Sequence, residues 1–189
     1  MLTDEEGKFL LKIAREAVEK FVNNERPEKP ARYPKTLDEK KGIFCTITEN
    51  GKLRGCIGLP YPIKPLIDAL IDSAQSACED PRFESLREDE LNKIKIEISV
   101  LTEPELIKVE KPEKYLEEII IGKDGLIIQH GPCSGLLLPQ VASEYNWSVE
   151  EFLDNLCLKA GLLTEEWKNP EARIYKFQAQ LFSEHFKEE

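Results

Sequence analysis

The chain has 189 residues, 41% of them hydrophobic, which suits one domain or two small subdomains around a buried core and excludes global disorder. The formal net charge is −10, and the cluster Lys35, Lys40, Lys41 is broken by Asp38 and Glu39. With no basic stripe, nucleic acid is excluded as the main ligand, whereas a local basic pocket for an anion is not.

Charged residues make up 33%, above the usual ~25%, and methionine occurs once, a composition that fits a heat-adapted source. The N-terminal "MLTDEEGKFL" shows no secretory signal, and no apolar run reaches the length of a membrane span. The five cysteines (Cys45, Cys56, Cys78, Cys133, Cys157) include no Cys-x-x-Cys pair. The expectation is a cytoplasmic protein with free thiols, no metal site, no cofactor and no membrane contact.

Thr3 and Glu6 form a capping box. Phe9, Leu10, Ile13, Ala14, Ala17, Val18, Phe21 and Val22 follow at helical spacing. The proline-containing stretch "NNERPEKPARYPKTL" reads as an extended connector. "GIFCTITE" and "KLRGCIGL" flank Asn50-Gly51, a strong hairpin signal. A two-residue turn with unbroken pairing sets Cys45 opposite Cys56 and Ile47 opposite Arg54. Arg54, Cys56 and Gly58 then share a face with Ile43, Cys45 and Ile47.

Pro65 opens a helix whose stripe is Leu66, Ile67, Leu70, Ile71, Ala74, Ala77 and Cys78. "DPRFESLREDELNKI" reads as a loop with at most one helical turn. "IKIEISVL" alternates as a half-buried strand with Ile94, Ile96, Ile98 and Val100 inward. A short helix is expected around "KPEKYLEE". "EIIIGKDGLIIQ" reads as a second hairpin turning at Lys123-Asp124-Gly125. Ser148 and Glu151 cap a helix that stops at Gly161. "ARIYKFQAQLF" reads as one closing strand with Tyr175, Phe177, Ala179 and Leu181 on one face. Hairpins mixed with helices, without regular βαβ alternation, give an α+β fold with mainly antiparallel sheet.

Five phrases in order, "LRGCIG" at 53–58, "DPRF" at 80–83, "IEISVL" at 96–101, "GLLLPQVASE" at 135–144 and "KAGL" at 159–162, resemble the AMMECR domain family over nearly the whole chain. The small size resembles an archaeal stand-alone member. The resemblance implies two intertwined subdomains of α+β fold within a single domain spanning 1–189, and a groove near the signature strand. It implies no reaction. Through the association of microbial relatives, it implies Memo-type and radical SAM proteins as partners.

The signature strand raises the question of function because three glycines, Arg54 and Cys56 stand where a packing strand takes branched apolar residues. Cys56 is either a thiol nucleophile with its pKa lowered by Arg54, or a small buried hydrophobe. Arg54 either anchors an anion or pairs with a carboxylate such as Asp80 or a C-terminal glutamate. Gly55 and Gly58 either admit a ligand or mark a bulge. Arg82 either belongs to a turn ordered by Asp80 and Pro81 or adds charge beside Cys56.

His130 and Cys133 lie in the loop before "GLLLPQV" and form either a Cys–His dyad, with His130 a base or binding candidate, or two metal ligands, too few for a zinc site, or are a solvated loop histidine beside an incidental cysteine; the other histidine, His185, lies near the C-terminal tail. Gln140 and Glu144 share a helix face, Glu144 being the acid/base candidate or a structural acceptor. No phosphate loop, nucleophile elbow or zinc-protease motif occurs. Two functions follow. One is a cytosolic enzyme or enzyme component with its site at Arg54 and Cys56. The other is a non-catalytic adaptor in which "LRGCIG" is structural.

Overall fold

The computed structural model describes residues 1–184, so His185 lies outside the described residues. The chain packs as two compact units, one holding Met1–Leu101 and the segment from Gln180 onward, the other Thr102–Ala179.

In the first unit, α1 (Asp4–Val22) starts at the expected capping box. The Thr3 hydroxyl accepts the Glu6 N–H, and the Glu6 carboxylate accepts the Thr3 N–H at 2.7 Å. Leu10, Ile13, Ala14, Ala17 and Val18 are buried along its stripe. The strands β1 (Gly42–Glu49) and β2 (Lys52–Leu59) form the Asn50-Gly51 hairpin, with φ of 51° and 76° in the turn as a type I′ geometry requires. After it come α2 (Leu66–Cys78) and β3 (Ile94–Leu101).

The chain returns as β8 (Ala179–Ser183), giving an antiparallel sheet in the order β2-β1-β3-β8, with β2 at one edge. Ile43, Cys45 and Ile47 of β1, with Ile94, Ile96, Ile98 and Val100 of β3, face the helices; the α2 stripe and the α1 stripe complete one core.

In the second unit, β4 (Glu105–Leu106), the single turn α3 (Tyr115–Glu118), β5 (Gly125–His130), β6 (Cys133–Leu137), α4 (Pro139–Glu144), α5 (Val149–Lys159) and β7 (Arg173–Phe177) follow in order. The sheet order is β4-β7-β5-β6. Leu126, Ile128 and Ile174 pack against Phe152, Leu153, Leu156 and Trp167.

Both ends of α5 follow the sequence signals. Ser148 and Glu151 make the capping box. At the other end Gly161 (φ 75°) closes a Schellman motif: its N–H donates to Leu158 and the Leu162 N–H donates to Cys157. Ser148→Ala is expected to lower stability by about 1 kcal/mol in urea unfolding, and an unchanged midpoint would contradict the cap's role.

Three expectations fail locally. The β1–β2 register is not the unbroken one. A shift between Ile47 and Thr48 leaves Arg54 as an extra residue, so Ile47 pairs with Gly55, Thr46 with Cys56 and Cys45 with Ile57. Cys56 therefore sits on the sheet face opposite Cys45, and the proposed Cys45–Cys56 facing pair does not exist.

The second hairpin turns later than expected. Residues 119–121 are not a strand, because Ile120 and Asp124 close a turn on each other: the Asp124 N–H donates to the Ile120 carbonyl and the Asp124 carboxylate accepts the Ile120 N–H. The true turn is Gly131-Pro132, with His130 paired to Cys133. His130 and Cys133 are thus strand-end residues, not loop residues.

The closing strand is two strands. It breaks at Gln178, whose N–H donates to the Thr102 hydroxyl and whose carbonyl accepts the Thr102 N–H. The side chains split accordingly: Phe177 is buried, whereas Leu181 is exposed.

Candidate functional site

The signature strand meets the end of α2 at Gly55. A Cβ there would stand 2.1 Å from the Ala77 carbonyl oxygen, a distance no side chain tolerates. The missing side chain lets the last turn of α2 lie against β2 and carries Asp80, two residues beyond the helix, to the strand's outer edge. Gly58 does the same toward β1, where a Cβ would stand 2.2 Å from the Ile43 carbonyl oxygen and 2.6 Å from Phe44 Cα. Both glycines are occupied by the chain's own backbone.

Asp80 is 1% exposed, and its two oxygens are fully used. Oδ2 accepts the Cys56 N–H at 2.9 Å and Arg82 Nη2 at 2.6 Å; Oδ1 accepts Arg82 Nε at 3.0 Å and the Arg82 N–H at 3.1 Å. The Phe83 N–H donates to the Asp80 carbonyl, closing the turn that Pro81 initiates. Arg82 Nη2 also reaches the Cys56 carbonyl at 3.4 Å. The backbone of Cys56 on the sheet edge is therefore closed by an aspartate–arginine pair in place of a neighbouring strand. The bidentate guanidinium holds the Asp80 carboxyl far below the usual carboxylate range. The two readings of Arg82 coincide: it is a turn residue and it brings positive charge beside Cys56.

Arg54, displaced by the bulge, points to a different acid from those expected. Nε donates to Glu90 Oε1 at 2.6 Å and Nη2 to Glu90 Oε2 at 3.1 Å, while Nη1 donates to the Glu84 carbonyl at 2.8 Å and Nη2 to that of Ser85 at 3.4 Å. Glu90 also accepts the Arg87 N–H at 2.9 Å, and the Arg54 guanidinium lowers its pKa. Among the described residues neither Asp80 nor Glu184, the expected carboxylates, is the partner. Asp80 belongs to Arg82. Glu184 pairs with Arg15 and accepts the Ile96 N–H at 2.8 Å.

Cys56 is half-buried. Its sulfur accepts the Thr46 hydroxyl at 3.2 Å. Burial raises the thiol's pKa, against smaller lowering effects of Thr46 and Arg82. The leading groups that lower it are Thr46 and Arg82, not the expected Arg54, whose guanidinium the bulge turns toward Glu90 and the Glu84 carbonyl. Burial pushes Cys78 up to about 12 and Cys157 up to about 11, and Cys45 still higher.

The remaining candidates lie in the second unit. His130 stands between two carboxylates, with Nδ1 3.4 Å from Glu166 and Nε2 3.9 Å from Glu171. No group of three or more metal-ligating side chains is arranged around a common point among the described residues. Gln140 is half-buried on α4 with a buried Oε1 that has no hydrogen-bond partner among the described residues, and Glu144 is exposed at the same helix's end. In the first unit the structure thus unites Arg54, Gly55, Cys56, Gly58 and Arg82 around the edge of β2. Glu90, Thr46 and the mode of Asp80 binding are additions that sequence reasoning missed.

The AMMECR1 family pattern matches residues 11–182. The chain belongs to the AMMECR1 family. A protein of Methanothermobacter thermautotrophicus is 49% identical over 185 residues, covering 97% of this chain and 96% of that protein. Protein MJ0810 of Methanocaldococcus jannaschii is 49% identical over 187 residues, covering 97% and 92%. The crystal structure of protein PH0010 from Pyrococcus horikoshii superposes with a TM-score of 0.94 at 42% identity, covering 98% of this chain and 94% of that one. These relatives are archaeal, and the α+β fold with antiparallel sheets is shared with the Pyrococcus horikoshii protein. Among the described residues no helix is long and apolar enough to cross a membrane.

Proposed function

We propose that this AMMECR1 family member is a non-catalytic binding module of the cytosol in which "LRGCIG" is architecture. The observation that carries this reading is the internal use of the signature's polar groups: the Arg54 guanidinium binds Glu90 and two carbonyls, and the Cys56 backbone binds Asp80 and Arg82. An anion anchor needs free donors, and Arg54 spends its donors inside the chain. A nucleophilic thiol needs a base or a lowered pKa, and burial raises that of Cys56. The five cysteines are all free, which suits a reducing compartment. Memo-type and radical SAM proteins remain the partners that the family association suggests.

The second reading, an enzyme or enzyme component built on the Cys56 thiol, is favoured by the Thr46 hydroxyl and Arg82, which both oppose the effect of burial. Site-resolved alkylation against pH, read by mass spectrometry, separates the two. The binding-module reading expects Cys56 to react no faster than Cys133 at neutral pH, with a midpoint at or above the ~8.5 of an ordinary thiol, and Cys45, Cys78 and Cys157 to react only on unfolding. A Cys56 midpoint well below ~8.5 would instead favour the enzyme.

A further inference from the structure

A groove of about 490 Å³ opens in the first unit where the edge strand β2 passes the outer face of α2. Its floor is apolar, formed by Phe21, Ile57 and Leu59. The Asp80–Arg82 pair closes the strand edge at Cys56 and leaves the stretch 57–59 facing this space.

Two independent features point to what fills it. Ser73 lines the groove and is 2% exposed, yet its hydroxyl has no hydrogen-bond partner among the described residues. Such an orphan is rare in a native interior and calls for a partner that the chain does not itself supply. The second feature is charge. Lys64 is matched by Asp72, and Asp80 by Arg82. Among the described residues no cation matches Glu79: it is exposed at the C-cap of α2, where the helix dipole is already negative, and the last turn carries no basic residue.

We infer that this groove receives a short extended peptide segment bearing a basic side chain. The backbone lies along 57–59, a backbone group reaches the Ser73 hydroxyl, and the ammonium or guanidinium settles against Glu79 and the end of α2. The volume is in the usual range for a ligand pocket and holds a few residues. Addition of a strand to a sheet edge supplies affinity through the main chain, and pockets for alternate side chains supply specificity. The inference rests on the binding-module reading and names the chemistry of its partner.

The test titrates ¹⁵N-labelled protein with an acetylated, amidated pentapeptide of alternating valine and lysine, followed by amide shifts. The expected result is saturable shifts at Ile57, Gly58, Leu59, Ser73 and Glu79, weakened about tenfold in Glu79→Gln and abolished when glutamate replaces lysine in the peptide. Ser73→Ala is expected to weaken binding with no loss of fold. Absence of groove shifts at millimolar peptide overturns the inference, as does equal binding by pentylamine, which would make the site an amine pocket. Either failure leaves the binding-module reading standing if Cys56 alkylates as an ordinary thiol; a low Cys56 midpoint sinks that reading whatever the titration shows.

Discussion

Asp80→Ala is expected to destabilise the protein by about 2–4 kcal/mol at pH 7. The carboxylate is 1% exposed and accepts four hydrogen bonds, three of them from Arg82 and one from the Cys56 backbone. Its removal leaves the Cys56 N–H without its acceptor, a cost of about 1–3 kcal/mol, and frees a turn that Asp80 orders. Arg82 adds less than a buried partner would, since its side chain is 52% exposed and can turn to water.

Asp80→Asn keeps the shape and removes the charge, so it reports the ionic part. The sign of the pH dependence follows from the direction of the shift. The folded pKa lies below the unfolded value of ~3.9, so the stabilisation is fully present above about pH 4 and is lost as pH falls toward the folded pKa. The gap between wild type and Asp80→Asn should therefore be widest above pH 4 and narrow in stronger acid. Urea unfolding across this range measures it; a gap that is constant with pH would contradict the ionic role. Glu90, lowered by Arg54, titrates in the same sense and is untouched in this variant.

Gly55→Ala is expected to cost about 3 kcal/mol or more, beyond most single overpacking changes. The clash is with backbone, 2.1 Å from the Ala77 carbonyl oxygen, so no rotamer change relieves it. The strand and the end of α2 must separate, and that movement also withdraws Asp80 from Cys56. A coupled loss follows: amide exchange at Cys56 should rise in Gly55→Ala as it does in Asp80→Ala. A Gly55→Ala protein of wild-type stability would show that the close approach of α2 is not a constraint. Gly51→Ala is a useful contrast, because nothing lies within 4 Å of its Cβ and only its φ of 76° opposes substitution.

The outline of the fold was legible because its signals are local. Asn50-Gly51, the two capping boxes, Gly161 and the alternation of Ile94, Ile96, Ile98 and Val100 each name an element from its own residues. The failures share a cause. Gly55 and Gly58 allowed a bulge in this strand, but nothing in Leu-Arg-Gly fixed its place at Arg54, and one extra residue moves Cys56 to the other face. The break at Gln178 is set by its pairing with Thr102, 76 residues away, and nothing in "ARIYKFQAQLF" announces it.

At the candidate site, the sequence brought attention to the strand at 53–58 and to "DPRF", which the structure joins through Asp80 and the Cys56 N–H. It could not assign the acids. Glu88, Asp89 and Glu90 stand together, and only the short helical turn over Glu88–Glu90 decides that Glu90 is the one turned toward Arg54. The puzzle of glycines in a packing strand has a steric answer: Gly55 and Gly58 make room for Ala77, Ile43 and Phe44 of the same chain.

The central claim is that Arg54 serves the fold. A double-mutant cycle of Arg54→Ala and Glu90→Ala, read by equilibrium unfolding, tests it most directly. The side chains are nearly buried and joined by two hydrogen bonds, so each single change should strand a charge and cost about 3 kcal/mol, while the double variant should lose little more than either one, a coupling of about 2 kcal/mol or greater. A coupling within about 0.5 kcal/mol, with Arg54→Ala as stable as wild type, would contradict the account and return Arg54 to the role of a ligand anchor.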